Sequence, residues 1–178
     1  LYINGEEVTD ILIPNSVTEI GAYAFSGCSY LTSVTIPNSV TSVGTNAFSG
    51  CTSLSSVTIP NSVTSIGTGA FSGCTSLSSV NIPNSVTSIE SGVFANCGKL
   101  FSITIPNSVT RIGYGAFQDC SNLKSVTIGN SATSIDSYAC CGCSAIEVVT
   151  LLCENVKSWF SYIETIKEVI LGDNVKSI

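Results

Sequence analysis

The sequence predicts an α/β solenoid in which right-handed coils stack side by side, with a parallel β-sheet on the concave face and short helical turns on the convex face. Three observations predict it. The hexapeptide I-P-N-S-V-T begins at Ile13, Ile36, Ile59, Ile82 and Ile105, always 23 residues apart. Every interval contains one short β-branched segment and one glycine-bounded segment of helical spacing. No unit of this size can bury its own apolar edge, so the copies must cover one another.

Each unit reads I-P-N-S-V-T-x-I-G-x-x-A-F-x-G-C-x-x-L-x-x-V-x, with copies at 13–35, 36–58, 59–81, 82–104, 105–127 and 128–150. In the last, Gly129 replaces the proline and Ala132 the valine. The strand is expected in L-T-S-V-T-I, Leu31 to Ile36, where Val34 and Ile36 point inward and Ser33 and Thr35 outward. Pro37, which has no N–H to give a ladder, ends it. Val40 and Val43 then return to the core. The segment G-T-N-A-F-S-G-C, Gly44 to Cys51, is expected to form the helical turn, with Ala47, Phe48 and Cys51 on one face. The position before the cysteine is Gly27, Gly50, Gly73, Asn96, Asp119 and Gly142, residues that tolerate a left-handed backbone and suit a helix C-cap. The earlier glycine column, Gly21, Gly44, Gly67 and Gly113, admits Glu90 and Asp136 and so does not demand a positive φ. At about 4.8 Å per strand, seven coils give a rod about 34 Å long. Because helical turns are wider than strands, the sheet is expected to lie on the inside of the curve.

The motif L-x-x-V-x-I-P-x-S-V-x-x-I-G-x-x-A-F-x-x-C resembles the 23-residue class of leucine-rich repeats of BspA-like and Treponema-type surface proteins, and covers nearly the whole chain. The predicted organisation is a single leucine-rich-repeat domain over 1–178. Residues 1–12 form an N-terminal hairpin and first coil, 13–150 the six repeats, 151–170 a short degenerate repeat without the G-x-x-A-F-x-x-C section, and 171–178 the start of another repeat. The hairpin turns at Asn4-Gly5. A start without methionine and an end inside a copy read as a fragment of a longer chain, leaving room for a signal peptide or anchor outside it.

Composition narrows the function. The chain is 44% hydrophobic, which argues against disorder, and carries a net charge of −6 with six basic residues, no footprint for nucleic acid or an anionic membrane. No run approaches the roughly 18 apolar residues of a membrane span. There is no histidine, which excludes Ser–His and Cys–His chemistry and His-ligated metals. The glycines Gly67, Gly69 and Gly73 are spaced one residue too widely for a dinucleotide fingerprint. Glu6 with Glu7 and Glu164 with Glu168 read as solvated surface, not as an acid–base pair. Nine cysteines invite a metal or redox reading. Six of them, from Cys28 to Cys143, follow the repeat, so they stack with parallel Cβ vectors about 4.8 Å apart and suit buried free thiols better than disulfides. Cys140, Cys141, Cys143 and Cys153 suggest a Cys₄ zinc site, but Cys140 occupies the phenylalanine slot and Cys141 an outward slot, so the four are not expected to converge. Cys141 is the thiol expected to react first. No catalytic residue, metal or cofactor is predicted.

What is left is a surface. Ile20 to Ile89 carries no charge, and the outward sheet positions form two columns: Ser33, Ser56, Ser79, Ser102 and Ser125, then Thr35, Thr58, Asn81, Thr104, Thr127 and Thr150. Beside them Phe101, Lys124 and Glu147 occupy a slot held earlier by Thr32, Ser55 and Ser78. Short polar β-formers keep a sheet soluble; they also make a face that loses little rotamer entropy on contact. These residues are the candidate binding site, with Phe101 either a contact anchor or a cover for the solenoid edge. Trp159, Phe160 and Tyr162 are read as packing the irregular coil. The predicted function is a non-enzymatic protein-binding module; the family resemblance implies a cell-surface or secreted protein adhering to host matrix proteins or other cells. Two further readings are a structural spacer presenting another domain, and binding to a regular lattice such as ice or a crystalline polysaccharide through the hydroxyl ladders.

Overall fold

A computed structural model of the chain describes residues 2–3, 6–154 and 163–176. Near the N-terminus β1 (Tyr2–Ile3) and β2 (Glu6–Glu7) pair antiparallel, Tyr2 opposite Glu7, as expected of a hairpin. Its Asn4-Gly5 turn lies outside the described residues. From there the chain coils, each coil contributing two strands that alternate along the sequence. These are β3 (Asp10–Leu12), β4 (Glu19–Ile20), β5 (Ser33–Thr35), β6 (Ser42–Val43), β7 (Ser56–Thr58), β8 (Ser65–Ile66), β9 (Ser79–Asn81) and β10 (Ser88–Ile89) in the first half. The second half adds β11 (Ser102–Ile105), β12 (Arg111–Ile112), β13 (Ser125–Ile128), β14 (Ser134–Ile135), β15 (Val148–Leu151) and β16 (Glu168–Leu171).

Strands pair in parallel with the equivalent strand of the next coil, Ser33 opposite Ser56 and Ser102 opposite Ser125. Every pairing between full repeats follows the 23-residue register, and the degenerate coil closes in 20, with Val148 opposite Glu168. The odd-numbered strands from β3 to β15, with β16, form the sheet expected from L-T-S-V-T-I, with Val34 and Val57 buried between exposed serine and threonine. The short even-numbered strands from β4 to β14 make a second parallel ladder that the sequence reading did not anticipate. There the V-T-x-I segment turns Val40 and Val43 inward while Thr41 N–H bonds Thr18 O at 2.8 Å.

The helical turns do not exist: among the described residues there is no helix, and with it goes the argument that helix width makes the sheet concave. Hydrogen bonding gives the reason. Within Gly44 to Cys51, Ala47 N–H bonds Gly44 O, Ser49 N–H bonds Asn46 O and Cys51 N–H bonds Phe48 O, all turns of three residues. The N–H groups between them point along the solenoid, Asn46 to Thr68 O, Phe48 to Ala70 O and Gly50 to Ser72 O at 2.7–2.9 Å. A helix would have kept every N–H within the coil; here every second one is spent on the neighbour. Left-handed residues turn the peptides this way. The position before the cysteine has positive φ in all six copies, from 55° at Asp119 to 77° at Gly142. A second such column, Tyr23, Asn46, Gly69, Gly92 and Gly115, has φ of 52–65°. The earlier glycines serve close approach instead: a Cβ on Gly44 or Gly67 would lie 2.6 Å from a backbone nitrogen of the preceding coil.

One core runs the length of the stack. Phe25, Phe48, Phe71, Phe94 and Phe117 form a column of nearly parallel rings with centroids 5.1–5.8 Å apart. The cysteines pack beside it as free thiols. Cys51, Cys74, Cys97, Cys120 and Cys143 each donate to the carbonyl of the phenylalanine one coil back, as in Cys74 Sγ to Phe48 O at 3.2 Å and Cys97 Sγ to Phe71 O at 3.3 Å. Burial pushes the Cys51 and Cys97 thiols up to about 12, so they stay protonated and act as core residues.

The stack has one seam. β9 does not pair with β11, nor β8 with β10, so both ladders break between the coils 59–81 and 82–104. Across the same gap the turn-side bonds persist, Phe71 N–H to Val93 O at 2.9 Å and Gly73 N–H to Ala95 O at 2.7 Å. At this seam Glu90 takes the place of the close-approach glycine. Asp136 holds the equivalent position with its amide 2.9 Å from Ile112 O beside an unbroken ladder, so a side chain there does not by itself open the stack.

Candidate functional site

The predicted serine, threonine and asparagine residues share one face of β5, β7, β9, β11, β13 and β15, in register within each sheet, while Phe101, Lys124 and Glu147 lie just before β11, β13 and β15. Ser33, Ser56 and Ser79 stand side by side, as do Ser102 and Ser125. The second column aligns Thr35, Thr58 and Asn81, then Thr104, Thr127 and Thr150. All are exposed or half-buried, because strand alternation commits their neighbours Val34, Val57, Ile103, Val126 and Val149 to the core. The seam divides the face into a half whose one charged member is Asp10 and a half with several charged neighbours.

Hydrogen bonding separates these columns from those beside them. In the flanking columns hydroxyls are spent on the stack: Ser55 Oγ donates to Thr32 O and Ser78 Oγ to Ser55 O, both at 3.3 Å, and Thr41, Thr64, Thr110 and Thr133 each donate to the carbonyl 23 residues earlier. The sheet-face hydroxyls of Ser56, Thr58, Ser102, Thr104, Ser125 and Thr127 make no hydrogen bond within the described residues. Ser33 differs, since it donates to Asp10 Oδ1 at 2.5 Å. That bond, with those from Thr9 and Thr32, holds the Asp10 carboxyl below the usual carboxylate range. Sequence reasoning missed Asp10 and Leu12, which head the serine and threonine columns; Leu12 is 79% exposed. Counting from the repeat began at residue 13, one strand too late to include them. At the other end the columns finish on Val148 and on Glu168 and Ile170 of β16.

Phe101, Lys124, Glu147 and Lys167 form a chain along the sheet edge. Lys124 Nζ lies 5.7 Å from the Phe101 ring centroid, and Lys167 Nζ lies 3.0 Å from Glu147 Oε1. The hydrogen bond and charge of Lys167 hold the Glu147 carboxyl below its ordinary value. Phe101 keeps 55% of its surface, so the ammonium covers only part of the ring. Both earlier readings of Phe101 have a counterpart here: it lies at the edge and still offers apolar area. Trp159, Phe160 and Tyr162 lie outside the described residues.

Among the described residues no three Cys, Asp or Glu side chains gather so as to hold a metal ion. Cys140 is buried, as its place in the phenylalanine column requires, and Cys141 is exposed; Cys153 is buried although it falls in the exposed asparagine column of the repeat. No helix among the described residues is long and apolar enough to cross a membrane.

The BspA type leucine rich repeat region, in 6 copies, matches residues 2–121 and 93–178. Of the solved structures, a leucine rich repeat protein of T. pallidum superposes with a TM-score of 0.75 and 31% identity, over 85% of this chain and 73% of that one. A leucine-rich repeat protein from Eubacterium ventriosum gives a TM-score of 0.63 at 24% identity, over 99% of this chain and 45% of its own. A leucine rich cell surface protein from Faecalibacterium prausnitzii is 29% identical over 93% of this chain and 60% of its own, with a TM-score of 0.48. The chain thus spans about half the length of these last two. No curated protein sequence matches it. With the repeat model matched along nearly all of its length, the chain belongs to the BspA-type leucine-rich-repeat proteins.

Proposed function

We propose that this chain is a non-catalytic, protein-binding module of a cell-surface or secreted protein, and that it recognises an extracellular-matrix or cell-surface protein with its polar sheet face. The observation that carries this reading is the division of hydroxyls. The flanking columns bond to the stack, whereas Ser56, Thr58, Ser102, Thr104, Ser125 and Thr127 make no hydroxyl bond within the described residues, which supports their use by a ligand. A row of short side chains also leaves space for protruding partner residues and loses little entropy on contact. Membership of the BspA-type repeats supports a surface location and adhesion.

The lattice reading loses ground to the seam, because the interruption between β9 and β11, together with Asn81, breaks the regular spacing that a planar lattice needs. The test is surface interferometry of the chain against a panel of matrix proteins. Saturable binding to at least one supports the module. Binding to none moves the spacer reading ahead, since the array would then position some other domain.

A further inference from the structure

In five coils the phenylalanine slot is filled by a stacked ring; in the last full repeat it holds Cys140. The ring column therefore stops at Phe117. Next to the substituted slot lies a cavity of about 380 Å³, lined among others by Tyr138, Cys140, Cys141, Cys143 and Ile163. Cys143, three residues on, belongs to the regular thiol column and donates to Phe117 O at 2.9 Å. Its N–H bonds Cys140 O at 3.1 Å, and Gly142, with φ of 77°, makes the turn between them. When Cys143 ionises it gives up its bond to Phe117 O, and the Cys120 and Cys140 thiols can then donate to its sulfur, which favours its thiolate and disfavours theirs. Cys140-Cys141-Gly142-Cys143 thus has the C-x-x-C spacing, folded so that its two ends meet at a cavity.

We propose that Cys140 and Cys143 form a thiol–disulfide site, reached through this cavity and oxidised by small disulfides. Cys120 is the less suitable partner, because it stacks on Cys143 with a parallel Cβ at strand spacing, whereas disulfides need converging Cβ atoms. The Cys143 thiolate attacks one sulfur of the small disulfide R–S–S–R, forming a mixed disulfide and expelling R–S⁻. Cys140 then loses its proton to solvent, its sulfur attacks the Cys143 sulfur, and the second R–S⁻ leaves. The protein dithiol loses two electrons and two protons; the small disulfide becomes two thiols. This site is separate from the sheet face.

The test treats the reduced, folded chain with oxidised glutathione and reads the intact mass, then alkylates the remaining thiols and sequences the tryptic peptide 125–157 by mass spectrometry. The wild type and Cys141→Ser should each lose the mass of two hydrogen atoms, with Cys140 joined to Cys143. Cys143→Ser, which keeps a donor for the Phe117 carbonyl and whose folding is checked by circular dichroism, should not lose them. Phenylarsine oxide, which needs two neighbouring thiols, should bind Cys141→Ser and not the double variant Cys141→Ser with Cys143→Ser, in which Cys140 has no neighbouring partner within the motif. An unchanged mass, a glutathione adduct confined to Cys141, or a Cys120–Cys143 link would overturn the proposal.

Discussion

Phe71 shows what one residue contributes. Its ring lies between Phe48 at 5.3 Å and Phe94 at 5.6 Å and is fully buried, so both neighbours rest on it. Phe71→Ala should cost about 3–5 kcal/mol, from lost transfer energy and from a cavity that the rigid stack cannot collapse. Urea unfolding followed by circular dichroism checks this, and a loss below about 1 kcal/mol would contradict a stacked, inward ring. The same carbonyl that closes the Phe71 turn also accepts the Cys97 thiol. This explains why the column is cysteine: a small apolar residue that carries a donor.

Among the elements, the odd-numbered strands were legible because alternation of β-branched and hydroxyl residues leaves one arrangement that buries Val34 and Ile36. The turn was misread for a physical reason. Ala47, Phe48 and Cys51 have helical spacing, but spacing reports only which side chains point inward, and says nothing of where the N–H groups go. The glycine, asparagine and aspartate before each cysteine were the signal that the backbone turns left-handed, and a C-cap was too narrow an interpretation of it. Tyr23, at positive φ without being glycine, asparagine or aspartate, carried no such signal. The second ladder was hidden because V-T-x-I is too short to show a period. The seam was not legible, because Glu90 shares its column with Asp136, whose ladder is unbroken. Hydrogen exchange should report it. The Gly67, Gly113 and Asp136 amides, bonded to carbonyls one coil back at 2.8–2.9 Å, should be strongly protected, and the Glu90 amide should exchange much faster. Equal protection at all four would show that the ladders are continuous.

For the molecule as a whole, stacking coils makes two unlike surfaces. The turn side spends alternate N–H groups on the next coil, and the flanking columns spend their hydroxyls likewise. The sheet face offers rows of short side chains, and from Ser56 to Thr127 their serine and threonine hydroxyls make no hydrogen bond within the described residues. Most of the candidate site could be located from the sequence, since a repeat projects each residue type into a column. What could not be read was which columns are satisfied internally, because that depends on the reach of each hydroxyl to a carbonyl 23 residues away. The central claim is that recognition uses the unsatisfied columns. The measurement that tests it most directly is the Kd of a bound matrix protein for two paired variants: Thr58→Lys with Thr104→Lys on the sheet, and Thr45→Lys with Thr68→Lys on the exposed turn side. The sheet pair should weaken binding at least about tenfold, equivalent to about 1.4 kcal/mol, while the turn pair leaves it unchanged. Loss with the turn pair alone, or equal effects of both pairs, would contradict the account.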